Sequence, residues 1–256
     1  MTILMTSPRA FTLVAALATS VLIACSNATA GNPYPVTWYS GFTLPEHLAS
    51  PHAAFKKDDI RNMLSEVWAD EIEVAPLRKP DEHIVLSSCA QYLAYPAGTL
   101  EPVHPMDGAP YMARALTCRA ALQIIAAQPA SRSYIPSRFI VEDLPQLLPP
   151  EVAMIISTEE SKRLLADKSK RSWADIARIK KATVINAEHA RFEDEGGSQE
   201  IELVARGDFN GDGLEDVLFT SHDAMEGGSY AAFRLFQVTR RAPEGRYELL
   251  KAYSRY

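Results

Sequence analysis

Residues 199–220 read QEIELVARGDFNGDGLEDVLFT, and this stretch decides the architecture of the chain. Ile201, Leu203 and Ala205 recur at every second position, the period of a strand with one buried face. Val217-Leu218-Phe219-Thr220 is a second, shorter apolar run. Asp208 to Asp216 lies between them, rich in short polar side chains and glycine, so the whole reads as strand, loop, strand. Working outward, Thr183-Val184-Ile185 opens another strand. Tyr230–Thr239 and Arg246–Tyr253 flank Ala242-Pro243-Glu244-Gly245, a hairpin turn. About five strands are therefore expected in residues 182–256, as an antiparallel meander whose apolar face needs a cover.

The cover is expected from residues 51–181, where helical signals dominate. Ile60, Met63, Leu64, Val67 and Trp68 form one helical stripe. Tyr111, Ala115, Cys118, Leu122 and Ile125 form another, within a helix from about Ala109 to Gln128. Ser157-Thr158-Glu159-Glu160 has the capping-box pattern and opens a third helix; Ser172-Trp173-Ala174-Asp175 repeats the start signal. Pro136, Pro145, Pro149 and Pro150 make the segment between 131 and 150 irregular. The expected fold class is α+β, one domain over 51–256, with 51–181 mainly helical and 182–256 mainly β.

The loop 208–216 has side-chain oxygens at its positions 1, 3, 5 and 9, supplied by Asp208, Asn210, Asp212 and Asp216, and glycine at position 6, Gly213. Calcium wants six to eight hard oxygen ligands, and alternating short acidic side chains can fold around it. Leu214 at position 7 offers its backbone carbonyl, while Glu215 at position 8 is expected to point away. Position 12 is Phe219, so the bidentate glutamate of an EF-hand is missing, and strands rather than helices flank the loop. The nonapeptide resembles the strand-loop-strand calcium motif of FG-GAP and related integrin-type repeats, Asp-x-Asn-x-Asp-Gly-x-x-Asp. The resemblance spans only about 20 residues, and the single copy here does not carry over the propeller built from many. It implies a weak structural calcium ion at Asp208, Asn210, Asp212, Leu214 and Asp216, to which Asp223 or Glu226 are further candidate ligands.

At the N-terminus, Arg9 precedes an apolar run of about 15 residues, Ala10–Ala24, shorter than the roughly 20 that span a bilayer, as in a signal peptide. The run ends in Leu22-Ile23-Ala24-Cys25, which resembles the bacterial lipobox. That resemblance implies a lipoprotein: residues 1–24 removed, Cys25 carrying diacylglycerol and an amide-linked acyl chain such as palmitate, and permanent anchoring. The alternative is an ordinary signal peptide cut near Ala28 or Ala30. Ser26 resembles the outer-membrane sorting pattern, which implies an envelope protein facing the periplasm. Residues 25–50 read as a tether, with Trp38, Tyr39, Phe42 and Leu44 docking its second half.

With Cys25 given to lipid, Cys89 and Cys118 remain as a pair in an oxidising compartment. A disulfide between them would stabilise the fold by about 3.5 kcal/mol in the chain-entropy model. A catalytic thiol at Cys89 and a metal pair are the rival readings.

Composition narrows the function. Of 256 residues, 47% are hydrophobic and 23% charged, with 12 glycines and 17 prolines, which excludes disordered, collagen-like and multi-span membrane classes. The net charge of −6 without a basic block argues against nucleic acid as a partner. No zinc-protease histidine pair, nucleophile elbow, P-loop or dinucleotide fingerprint occurs. His104 with Asp107, and His222 with Asp223, could each form half of a dyad; Glu193-Asp194-Glu195 reads as a solvated turn. The expectation is a non-enzymatic, lipid-anchored binding protein with a protein partner, serving toxin neutralisation or envelope assembly. The alternative is an envelope hydrolase built from dispersed histidines and aspartates.

Overall fold

The structure, a computed structural model, describes residues 34–39, 57–228 and 230–253. The signal-peptide segment, Cys25, Phe42 and Leu44 lie outside these residues. Helices and sheets are mixed, as an α+β chain requires. In order they are β1 (Thr37–Trp38), α1 (Lys57–Met63), β2 (Ile72–Pro76), β3 (Ile84–Leu86), α2 (Cys89–Leu93), β4 (Leu100–Pro102), α3 (Gly108–Ala126), α4 (Leu144–Leu147), α5 (Thr158–Ala166), β5 (Lys181–Val184), β6 (His189–Glu193), β7 (Gly197–Gly207), β8 (Asp216–Met225), β9 (Ala231–Thr239) and β10 (Glu248–Tyr253).

The meander has six consecutive strands, β5 to β10, not five; β6 was not legible as a separate strand. All are antiparallel to their neighbours. β1 adds a seventh: Thr37 and Trp38 pair with Arg206 and Ala205, beyond the point where β6 leaves β7 at Glu202. Part of the expected tether is thus a strand of the sheet. The register of β7 on β8 shifts between Leu203 and Ala205. That bulge turns Ala205 to the face opposite Ile201 and Leu203, so the expected single stripe is split between two cores.

On one face, Val204, Ala205, Leu218 and Leu235 pack under α3 and a small three-stranded sheet, order β3-β2-β4. This second sheet adds three short strands to the helical region, none of which was expected there. Its strands are only three to five residues long, too short for a clear alternation. The first helix also ends early, at Met63; Trp68 reaches the core after a turn, and Val67 is 70% exposed. α3 is buried around a broad arc including Ala115, Leu116, Cys118, Ala120 and Ala121, where small side chains let it lie between two layers. Cys89 at the start of α2 is bonded to Cys118 of α3, with Cα atoms 5.3 Å apart. The disulfide is therefore the correct reading of this pair.

On the other face, Ile201, Leu203, Val217, Phe219, Phe236 and Val238 are covered by coil and short turns between 135 and 179, with Phe139, Leu148 and Trp173 fully buried. The caps read from sequence are present. Ser157 accepts from Glu160 N at 3.3 Å, and Ser172 N and Oγ both donate to Asp175 Oδ2 at 2.9 Å.

Coil pressed onto a sheet buries carbonyls that no ladder satisfies. Two arginines solve this. Arg206 donates to the carbonyls of Ile135, Pro136 and Ser137, and Arg234 to those of Glu151, Val152 and Ala153. Each guanidinium has a buried carboxylate: Glu215 lies 2.8 Å from Arg206, and Asp223 lies 2.7 Å from Arg234. Glu215 does point away from the loop, as expected, but into the body, where its residue is 5% exposed. Asp223 is committed to Arg234, Gln199 and Ser221, so it is not a spare ligand for the loop.

Breaking a buried ion pair leaves an uncompensated charge. Arg206→Met is expected to lower unfolding stability by about 3–5 kcal/mol. Adding Glu215→Leu should recover a large part of that loss, because the stranded carboxylate is then gone. Urea unfolding reads both; a single-variant loss below about 1 kcal/mol would show that the pair carries little.

Candidate functional site

The loop between β7 and β8 is built from side chains that fold back on their own backbone. Asp208 Oδ1 accepts from Asn210 N and Gly211 N at 3.3 and 2.7 Å, and Oδ2 from Gly213 N at 2.8 Å. Asn210 Oδ1 accepts from Asp212 N, and Asp212 Oδ1 from Leu214 N, both at 2.9 Å. Gly211 and Gly213 both have φ of +81°, a conformation that favours glycine. A Cβ on Gly213 would also meet Ser131 Oγ at 3.1 Å.

The loop is clamped from outside by the chain that leaves α3. Gln128 and Asp208 exchange backbone hydrogen bonds at 2.8 Å. Gly213 O accepts from Ser131 N, Ser131 Oγ and Arg132 N, and Glu215 N donates to Arg132 O. Arg241 on the β9–β10 turn places NH1 3.4 Å from Asp212 Oδ2.

Asp216 closes the loop and is fully buried. Its Oδ2 accepts from Phe209 N at 3.0 Å, while Oδ1 has no hydrogen-bond partner; Thr239 stands beside it without hydrogen-bond geometry. Burial is the main reason its pKa is raised to about 6. The carboxylates of Asp212 and Asp208 push the same way, and Thr239 and Phe209 N oppose them.

The donor set of hard oxygens and the buried orphan oxygen both suit a divalent cation. Among the described residues, however, no group of three or more His, Cys, Asp or Glu is arranged to hold a metal. The carboxylates of Asp208 and Asp212 accept hydrogen bonds from backbone amides and, as ionised groups with about four acceptor sites each, can share their oxygens with a cation.

The histidine pairings expected from sequence are not those found. His104 Nε2 lies 3.2 Å from Glu73, whose other oxygen is 2.9 Å from His83 Nδ1. His222 stacks on Phe233 with ring centroids 4.4 Å apart. Asp194 Oδ1 accepts from Gly196 N and Gly197 N, so the acidic 193–195 run is a turn, as read.

A cleft of about 1040 Å³ opens where β4, the start of α3, α5 and the first half of β9 meet. Leu100, Tyr111, Met112, Ile155, Phe233 and Phe236 line it, with Leu77 and Ile156 about half exposed at its mouth. Its walls come from three distant stretches of chain, so no local pattern could have disclosed it.

No protein-family model matches the chain, and neither curated proteins nor solved structures give a match. The likeness of residues 208–216 to integrin-type calcium loops therefore stands on those residues alone.

The raised Asp216 carboxyl has a consequence with a definite sign. Above about pH 6 both folded and unfolded states are ionised, and the folded state carries the burial cost. As pH falls through about 6 the folded state takes up the proton first, so the cost is relieved before the ordinary carboxylate range is reached. With chelator present, the thermal midpoint should therefore rise relative to Asp216→Asn between about pH 7.5 and pH 5. Parallel profiles for the two proteins would refute this.

Proposed function

We propose that this chain is a lipid-anchored, non-enzymatic binding protein of the cell envelope, held at the outer membrane through Cys25 and facing the periplasm. A calcium ion in loop 208–216 is its structural cofactor, and its partner is a protein rather than nucleic acid. The observation that carries the binding reading is the open cleft, lined by polar and apolar side chains and including the half-exposed Leu77 and Ile156, since concave surfaces of this kind are where ligands and partners preferentially bind. Toxin neutralisation and envelope assembly are the two settings in which such a protein acts without chemistry of its own.

The anchor rests on Leu22-Ile23-Ala24-Cys25. The cation rests on the unpartnered, buried Asp216 Oδ1 beside two further carboxylates. Calcium would be held by the side chains of Asp208, Asn210, Asp212 and Asp216 with the carbonyl of Leu214, and would supply charge neutralisation alone. Its effect would be to pin the β7–β8 register and the 128–132 clamp.

One observation favours the hydrolase reading: His104 faces a carboxylate, Glu73, at the rim of the cleft. The imidazole is largely exposed, and among the described residues no hydroxyl or thiol is hydrogen-bonded to it. A histidine without a nucleophile is half a device, and the binding reading stands ahead.

Cys25→Ala should abolish acyl labelling and release the protein from membranes; unchanged labelling and fractionation would defeat the anchor.

Calcium should stabilise the fold by about 2.7 kcal/mol when free ion is 100-fold above its dissociation constant, which is roughly 10⁻⁴ to 10⁻³ M for such extracellular sites. Magnesium should do less, because it demands tighter octahedral geometry and sheds water reluctantly. Asp212→Ala should remove most of the shift. Glu215→Ala is not a clean control, since it strands Arg206; Glu226→Ala is the better one, because β8 carries Glu226 to the end opposite loop 208–216 and so removes it from the candidate ligands. Thermal unfolding with EGTA, calcium or magnesium decides it, and equal shifts for the two metals would leave only an acidic turn.

A further inference from the structure

We propose that the cleft between β4, α3, α5 and β9 docks an extended segment of a protein partner whose apolar side chains are flanked by lysine or arginine. This deepens the binding reading above and rests on it.

The shape comes first. At about 1040 Å³ the cleft is at or beyond the upper limit for small-ligand pockets, and it is open to solvent. Its lining sets aromatic and aliphatic side chains beside polar ones such as Glu101, Glu151 and Ser161, and Leu77 and Ile156 among the liners remain 51% and 53% exposed. A chain lying along the opening would cover both, whereas a ligand confined to the floor would leave them wet.

Charge then selects the occupant. Most charges at the cleft are cancelled locally. Lys162 pairs with Glu159 at 2.9 Å, His104 faces Glu73, and Arg234 lies 2.7 Å from Asp223. Arg234 also spends its guanidinium on the carbonyls of residues 151–153, so it has no fork left to receive a carboxylate or phosphate. Glu101 and Glu151 are the exceptions: both line the cleft, and neither has a cationic partner among the described residues. Glu101 is close enough to Tyr111 on the floor to help push its phenol pKa up, behind the larger effect of burial. Two uncompensated carboxylates beside an apolar floor complement a basic and apolar segment. The formal charge of −6 on the whole chain steers the same kind of partner and repels an acidic one.

The test uses the full-length lipidated protein in phosphatidylcholine nanodiscs. The probes are two fluorescent twelve-residue peptides, one of alternating lysine and leucine, the other with glutamate for each lysine. Anisotropy titration should show the lysine peptide binding at least about tenfold tighter. Glu101→Lys with Glu151→Lys should weaken it about tenfold or more, while Glu66→Lys with Glu244→Lys, the same charge change on exposed sites away from the cleft, should cost less than about threefold. Ile156→Asp should weaken it comparably to the cleft pair. Equal binding of both peptides, or equal losses in the two charge-reversed pairs, would overturn the proposal. A photo-crosslinker at position 156 in intact cells separates the two levels. Crosslinks to a protein there, with no preference for the lysine peptide, would keep the binding reading and discard this partner chemistry. Neither crosslinks nor peptide binding would discard both.

Discussion

Coil cannot lie on a β-sheet without giving up water at its carbonyls, and that constraint organises one whole side of this molecule. Four prolines between 136 and 150 remove amide donors and prevent the segment from satisfying itself as a helix. The sheet supplies the donors instead. Arg206 on β7 and Arg234 on β9 each reach outward to three successive carbonyls, while Glu215, just before β8, and Asp223 on β8 neutralise them. Gln199 adds a third link, donating to Val152 O and accepting from Met154 N. The cover is thus held by polar groups inside an apolar layer, and Phe139, Leu148 and Trp173 bury their side chains around them.

The same strands tie this layer to the acidic loop. Glu215, which balances Arg206, also accepts from Ser133 Oγ, and it sits one residue before Asp216. Through Gln128 and Arg132 the loop is joined to the chain leaving α3, whose middle is fixed by the Cys89–Cys118 bond. The loop is thus bonded both to the cover on one face and to the chain leaving the helical layer on the other. The β7 bulge makes this possible, because it lets one strand send Leu203 to one core and Val204 and Ala205 to the other.

The cleft forms where these layers stop short of each other. α5 buries none of its described side chains in either core, and it stands beside the first half of β9 rather than on the sheet. A concave surface of mixed polar and apolar side chains is left there.

Local physics was legible in the sequence wherever one residue's neighbours along the chain decide its conformation. The strand-loop-strand at 199–220, the hairpin before β10, the caps at Ser157 and Ser172, the long α3 and the pairing left to Cys89 and Cys118 all follow from periodicity, turn chemistry or cysteine arithmetic. The partnerships between distant residues, by contrast, arise from the packing of the folded chain. The three-stranded sheet joins strands too short to show a period, and β1 exists only because β7 outruns β6. Glu215 and Asp223 read as loop acids but are counter-ions of buried arginines, and His104 turns to Glu73 rather than to Asp107. Side-chain pairing of this kind depends on which strands lie side by side and on which face each residue occupies. A one-residue bulge at Val204 reverses those faces, and nothing in the alternation of residues 199–205 announces it.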